Sequence, residues 1–184
     1  MNLLASPLPD TVSLGGASVP IKTGYRTGIQ IARTAESGIE DRAKAGVLLH
    51  LYFGYVPDPP VDALEAAMEF HRCGQPVPSG RPGARALDWD HDAGMILADF
   101  RREYGIDLAD PATRMHWWVF MAYFNNLSGP SETKTAMYYR RASKPKDCKG
   151  DDAKRFNDMK RAYALPPKTA AEQLAREAAM WGDE

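Results

Sequence analysis

The sequence has only two cysteines, and neither lies in a CxxC motif. Cys73 and Cys148 stand far apart in a chain of 184 residues, so neither a disulfide framework nor a zinc site is indicated. The longest apolar stretch, Trp117 to Phe124, covers eight residues, whereas a membrane-spanning helix needs about 20. The first ten residues lack the basic start and apolar run of a secretion signal. These absences predict a protein of a reducing cytoplasm.

The charge of the chain is nearly balanced, and the common catalytic motifs are absent. The formal net charge is −1 at pH 7, so no long-range field draws the whole molecule towards nucleic acid or an anionic membrane. No GxSxG, HExxH, GxxxxGK[ST] or GxGxxG pattern occurs. Hydrophobic residues make up 44% of the chain and charged residues 26%, which is typical of a globular domain. The sequence therefore predicts a folded binding protein that is not an enzyme, with no catalytic residues and no cofactor.

Apolar periodicity predicts a short hairpin followed by helices. Residues 11–14 and 17–19 read as strands around Gly15-Gly16, a pair that accepts the positive φ angles of a tight turn. Helical spacing of apolar residues, capping residues and prolines then mark the helices. The first is capped by Thr23 or Thr27 and ends at about residue 36. The others are expected at about 39–53, 60–73, 89–104, 111–127, 131–141, 151–163 and 169–181.

The fold expected from these elements is mainly α. It is a compact helical domain of about six to eight helices with an N-terminal β-hairpin at about residues 10–22. Residues 1–165 form this single domain, and residues 166–184 form a C-terminal helix behind Pro166-Pro167. The helix at 111–127 is apolar all round, which predicts that it is buried all round and central to the fold. In the helix at 39–53, the residues at helical spacing on the apolar face are Ala43, Val47, Leu48 and Leu51.

The segment Asp88-Trp89-Asp90-His91-Asp92 is the most suggestive polar cluster. Aspartate and histidine bind divalent metals, but the twelve-residue ligand pattern of an EF-hand is absent. Aspartates at the start of a helix also accept hydrogen bonds from its free amides, and this interpretation is favoured over a metal site. His71-Arg72-Cys73 has no second Cys/His pair at zinc-finger spacing. No metal ligand is therefore assigned.

The last third of the chain contains the candidate partner-binding residues. From Arg140 to Arg161 there are nine Lys/Arg against four Asp/Glu, with aromatic residues nearby. Such a segment can bind nucleic acid, but its mixed charges favour an acidic protein partner. The final helix carries a weak apolar stripe, and it either packs on the body of the protein or is mobile and docks on a partner. The residues assigned to partner binding are Arg155, Lys160, Leu174, Ala178 and Trp181.

The order of several short segments resembles the bacteriophage family named for gene product fifteen. The resemblance covers nearly the whole chain. Its segments are Asn2-Leu3-Leu4, Pro7-Leu8-Pro9-Asp10, Ile21-Lys22-Thr23, Tyr25-Arg26, Phe70-His71-Arg72-Cys73-Gly74, Asp88 with Asp90-His91-Asp92-Ala93, Tyr104-Gly105-Ile106-Asp107-Leu108, His116-Trp117-Trp118, Tyr138-Tyr139-Arg140 and Met159-Lys160-Arg161-Ala162-Tyr163-Ala164-Leu165-Pro166.

The resemblance implies a tail assembly chaperone of a long-tailed phage or prophage. Such a protein binds the tape-measure protein and the major tail (tube) protein in the host bacterial cytoplasm, and it can self-associate. The resemblance carries over no catalytic residue. One alternative is a structural component retained in the virion, such as a tail or connector subunit. A second is a nucleic-acid-binding or metal-dependent protein that uses the basic C-terminal third or the cluster Asp88–Asp92.

Overall fold

The computed structural model of the chain describes residues 3–77, 79, 83–168 and 173–174. Within these residues a β-hairpin precedes seven helices, which confirms the predicted mainly α fold class. Of the expected final helix, the structure describes only Gln173 and Leu174, which are helical. In chain order the elements are β1 (Thr11–Leu14), β2 (Ala17–Pro20), α1 (Tyr25–Ala35), α2 (Asp41–Phe53), α3 (Pro60–His71), α4 (Ala93–Tyr104), α5 (Trp117–Asn125), α6 (Glu132–Arg141) and α7 (Gly150–Ala162).

The two strands form the predicted antiparallel hairpin. Thr11 pairs with Pro20 and Leu14 with Ala17. The turn residues Gly15 and Gly16 have φ angles of +57° and +84°, a conformation that is unfavourable for residues with a side chain. β1 packs on α3, which provides the support that an isolated hairpin lacks in water.

The buried face of α2 differs from the one that the apolar spacing suggests. The helix begins at Asp41 because the Glu40 side chain caps it, accepting hydrogen bonds from two amides of the first turn. Ala43 is exposed, and Val47 is 42% exposed, so the prediction is wrong for these two residues. α2 packs on both α1 and α3, and these two neighbours determine its buried face. The fully buried residues of α2 are Leu48, Leu49 and Tyr52.

α5 begins at Trp117, and the predicted start at Pro111 is wrong. Asp110 accepts a hydrogen bond from a nearby amide within a turn instead of capping a helix. The cap is His116, whose Nδ1 accepts from the amide of the second helical residue at 3.1 Å. The Trp117 amide donates to the Thr23 carbonyl at 2.7 Å. Pairing with the chain before α1 therefore keeps residues 111–116 out of the helix.

Aromatic rings on α5 form the centre of the core. Phe120 stacks on Phe100 of α4, with ring centroids 5.0 Å apart. Gly28 of α1 lies against the indole ring of Trp117, where a Cβ atom would overlap the ring. Glycine is thus what allows α1 to approach α5 so closely. On the outer side of α5, Tyr123 is 38% exposed, so the prediction that this helix is buried all round is wrong.

A buried carboxylate joins α4 to α6. Asp99 is fully buried on α4 and accepts a hydrogen bond from the Thr133 amide at 2.8 Å and a longer one from the Glu132 amide. The Ser131 side chain caps the same helix by accepting from the Lys134 amide. Two side chains therefore satisfy amides at the α6 N-terminus that lack partners within the helix. α6 runs from Glu132 to Arg141, as predicted.

Candidate functional site

An open groove of about 810 Å³ lies between α1 and α2. Its apolar lining includes Ile39, Val47 and Leu51. Ile39 is 44% exposed and Val47 is 42% exposed, so two branched aliphatic side chains of this lining are in contact with solvent. A concave surface that combines apolar side chains with a polar edge suits an amphipathic segment of another protein. We call this surface the α1–α2 groove.

Two exposed ion pairs lie along the edge of the α1–α2 groove. Arg33 contacts Asp90 at 2.8 Å, and Lys168 contacts Glu36 at 3.0 Å. All four side chains are at least a third exposed, and exposed pairs of this kind contribute only about 0–1 kcal/mol each. A partner segment with charges on its flanks can therefore replace either pair at little cost. The edge offers both signs of charge, and the floor offers apolar contact.

Asp88 holds the turn that precedes α4. Its Oδ1 accepts hydrogen bonds from the amides of Asp90 and His91, each at 3.0 Å. Its Oδ2 contacts Arg85 at 2.6 Å and Lys168 at 3.1 Å. Burial acts to raise the pKa of Asp88, but these amides and the Lys168 ammonium outweigh it and lower the pKa to about 2. Asp88 therefore accepts hydrogen bonds from free amides, as expected of an aspartate in this segment, but these amides belong to a turn. The predicted placing of these aspartates in the first turn of the helix is wrong, because α4 begins at Ala93 and Asp92, at its N-cap, makes no capping hydrogen bond through its side chain.

Asp92 forms a buried, bidentate ion pair with Arg140 of α6. The two N–O distances are 2.6 Å and 2.8 Å, and the side chains are 1% and 4% exposed. Arg140 also donates to the carbonyl oxygens of Ala86 and Tyr163. One guanidinium thus joins the segment before α4, the turn at Asp92 and the end of α7. In this arrangement the Asp88 and Asp92 carboxylates stabilise the fold.

His71 and Cys73 do not form a nucleophile–base pair. His71 Nδ1 lies 2.7 Å from the Tyr52 hydroxyl, and the ring stacks on Trp117 with centroids 4.9 Å apart. Burial, and secondarily the charge of Arg72, lowers the pKa of His71 to about 4. Burial also raises the pKa of the Cys73 thiol to about 11, so the reactive thiolate is scarce at neutral pH. Across the part of the chain that the structure describes, no three His, Cys, Asp or Glu side chains are placed to hold a metal ion.

The structure describes three of the five predicted partner-binding residues. Arg155 is exposed on α7. Lys160 is half-buried, and its ammonium donates to the Ala142 carbonyl at 2.7 Å, which ties α7 to the end of α6. Leu174 is 66% exposed. Ala178 and Trp181 lie outside the described residues. Partner binding by these five residues stays a prediction.

The α1–α2 groove is a site that the sequence-based reasoning missed. Two local features signal it. Ile39 is an aliphatic residue in the polar stretch between α1 and α2, where the core does not require one. Val47 lies on α2 beside the residues that are buried, yet outside the buried face. Neither feature indicates a groove until α1 and α2 are packed together.

Residues 4–165 match the protein family described as Bacteriophage Gp15 protein. The chain belongs to this family. The match spans the hairpin and all seven helices of the described structure, and it confirms the resemblance found in the sequence. Family membership supports a structural or morphogenesis protein of a bacteriophage. Neither the curated proteins nor the solved structures contain a match to the chain.

The length and apolar character of the described helices determine whether any of them could cross a membrane. Over residues 3–77, 79, 83–168 and 173–174, no helix combines the length and the apolar character that crossing a bilayer requires.

Proposed function

We propose that this Gp15-family protein is a non-catalytic tail assembly chaperone that acts in the host bacterial cytoplasm. It binds the tape-measure protein and the tail-tube protein during tail morphogenesis. The observation that carries the proposal is the family match over residues 4–165. The fold is compatible with this function, because the open surfaces of the described residues suit contact with another chain.

The tape-measure protein poses the physical problem that such a chaperone solves. A long helical protein with apolar surface aggregates if that surface stays exposed during synthesis. A holding protein must cover part of it reversibly. An amphipathic helix can lay its apolar stripe into an apolar groove, and the α1–α2 groove offers Ile39 and Val47 for this contact with charges of both signs at its edge. We assign the tape-measure contact to this groove.

Co-expression tests the proposed function directly. The protein is produced together with the tape-measure and tail-tube proteins of its own phage, followed by affinity capture and light scattering. We expect the tape-measure protein to be insoluble alone and to form a soluble complex with this chain. Absence of binding to either protein, with this chain present instead in purified virions, would replace the chaperone by a structural tail component.

A pair of matched variants tests the groove within that experiment. Val47→Asp places a charge on the groove floor, and Leu97→Asp places one on α4 outside the groove. The two residues are 42% and 37% exposed, so both substitutions should leave the fold intact. We expect Val47→Asp to reduce capture of the tape-measure protein at least tenfold, because desolvating an unpaired carboxylate at an apolar contact costs more than about 1.4 kcal/mol. Equal capture by the two variants would exclude the groove as the contact.

A further inference from the structure

A second groove, of about 640 Å³, runs along the outer side of α3. Asp62, Glu65 and Glu69 line it together with Arg72, which follows α3, and the spacing of the three acids places them along one side of the helix. The three carboxylates outnumber the one guanidinium, so the lining is acidic on balance. None of the three carboxylates forms an ion pair with a described residue. The lining also includes Leu64 and Met68, so the α3 groove combines an acidic side with an apolar floor.

The loop between α6 and α7 has the opposite charge. Residues 142–149 contain Lys144, Lys146 and Lys149 against one acid, Asp147, and Arg141 precedes them at the end of α6. All four cations are exposed, and none of them is in an ion pair with the residues that the structure describes. Between the helices the loop makes a turn, in which the Cys148 amide donates to the Pro145 carbonyl. It therefore presents a short, basic, non-helical segment to solvent, which we call the α6–α7 loop.

The α3 groove and the α6–α7 loop lie on helices that pack against different neighbouring elements. The main contacts of α3 are with β1 and α2, whereas those of α7 are with α6, which in turn packs on α4. The two surfaces thus share no neighbouring element among these contacts. These complementary charges are not paired with each other within the described chain, so they are available to pair between two chains.

We propose that the α3 groove of one copy of this protein binds the α6–α7 loop of a second copy. Such a contact joins two different surfaces, so each copy keeps one free groove and one free loop, and the copies associate head to tail. Exposed ion pairs contribute about 0–1 kcal/mol each, so three of them with a small apolar floor give weak association. The assembly is therefore concentration-dependent and sensitive to salt.

A second copy fits the observations better than nucleic acid does. Nucleic acid would pair with the loop but would leave the complementary α3 groove without a role. The formal net charge of −1 also gives the whole chain no attraction to a polyanion. This inference does not depend on the chaperone function, because it concerns contacts between identical chains.

Charge reversal on each side tests the contact. One variant carries Glu65→Lys and Glu69→Lys, and the other carries Lys144→Glu and Lys146→Glu. Their molar masses are measured by light scattering and sedimentation up to millimolar protein concentration. We expect the wild-type mass to rise above the monomer value of 20.4 kDa with concentration, and to return to it in about 1 M salt, where the screening length falls to about 3 Å. Each variant alone should stay monomeric.

Mixing the two variants makes the test specific. The intact loop of the first variant fits the intact groove of the second, and the two reversed surfaces fit each other, so an equimolar mixture should recover association. A chain that carries all four reversals should associate as the wild type does. Arg42→Glu with Arg114→Glu, two exposed cations outside the loop, is the charge-matched control and should associate normally.

A wild-type protein that stays monomeric, or association that survives either reversal, would overturn the proposal, as would mixed variants that stay monomeric. Salt-sensitive binding of a DNA duplex by the monomeric wild type would assign the loop to nucleic acid instead.

Discussion

His71 is a residue whose burial has a direct chemical consequence. Its ring is held between the Tyr52 hydroxyl and the face of Trp117. The indole Nε1 of Trp117 donates to the His71 carbonyl at 2.8 Å, so the residue is fixed by both its side chain and its backbone. An imidazolium in this position would lose most of its hydration. Burial accordingly favours the neutral ring, and the pKa falls to about 4 from its usual value near 6.5.

The lowered pKa of His71 predicts a pH-dependent stability. Above pH 6.5 the ring is neutral in both the folded and the unfolded chain, so the full stability is present. As the pH falls from 6.5 to 4, only the unfolded chain binds the proton, and the free energy of unfolding decreases by up to roughly 3 kcal/mol. Urea unfolding between pH 7 and pH 5 measures this slope. The change in the free energy of unfolding with pH should be much smaller in His71→Asn. His91→Asn, at an exposed histidine, should show the same change as the wild type. Equal slopes in the wild type and His71→Asn would show that His71 is not the group responsible.

At the scale of elements, Arg140 joins segments that are distant in sequence. It pairs with Asp92 before α4 and donates to the Ala86 and Tyr163 carbonyls. Removing one partner of a buried pair leaves an uncompensated charge and typically costs 3–5 kcal/mol. We expect Arg140→Met to lower the free energy of unfolding by about that amount, because the Asp92 carboxylate stays buried. Arg141→Met, at the exposed neighbour, should change it by less than about 0.5 kcal/mol.

A double variant separates the lost ion pair from lost packing. In Arg140→Met with Asp92→Leu no charge stays buried, so the loss should be smaller than the sum of the losses in the two single variants. Additive losses in denaturant unfolding would mean that the two side chains act independently. A loss below about 1 kcal/mol in Arg140→Met alone would contradict the structural role given to this pair.

The elements that the sequence predicts correctly are those with a local signal. Gly15-Gly16 defines the hairpin turn, Pro60 begins α3 and Ser131 caps α6. The start of α5 has a misleading local signal at Asp110-Pro111, because the competing hydrogen bonds come from the chain before α1. The buried face of α2 and the α1–α2 groove depend on how two helices pack, and no local pattern encodes that packing.

For the molecule as a whole, the C-terminal segment is the part whose removal should separate binding from folding. The buried hydrophobic residues of the described chain lie between Ile21 and Ala136, so we expect this core to form without residues 169–184. Lys168, which contacts Glu36 and Asp88 at the edge of the α1–α2 groove, is kept when the chain is cut after it. We expect the free energy of unfolding of this truncated chain to lie within about 0.5 kcal/mol of that of the full-length protein.

Cutting before Pro167 instead also removes the two contacts of Lys168. Lys168 and Glu36 are each more than a third exposed, and Arg85 and two backbone amides still bind the Asp88 carboxylate. We therefore expect a further loss of only about 1 kcal/mol in the free energy of unfolding. Both truncated chains should capture less tape-measure protein than the full chain, because they lack the predicted stripe of Leu174, Ala178 and Trp181. Trp181→Ala in the full-length chain is the point control, and it should weaken capture without changing the urea midpoint.

Undiminished capture by both truncated chains would remove this stripe from the binding surface and leave the α1–α2 groove as the candidate contact. A large loss of stability in the chain cut after Lys168 would instead make the segment part of the fold.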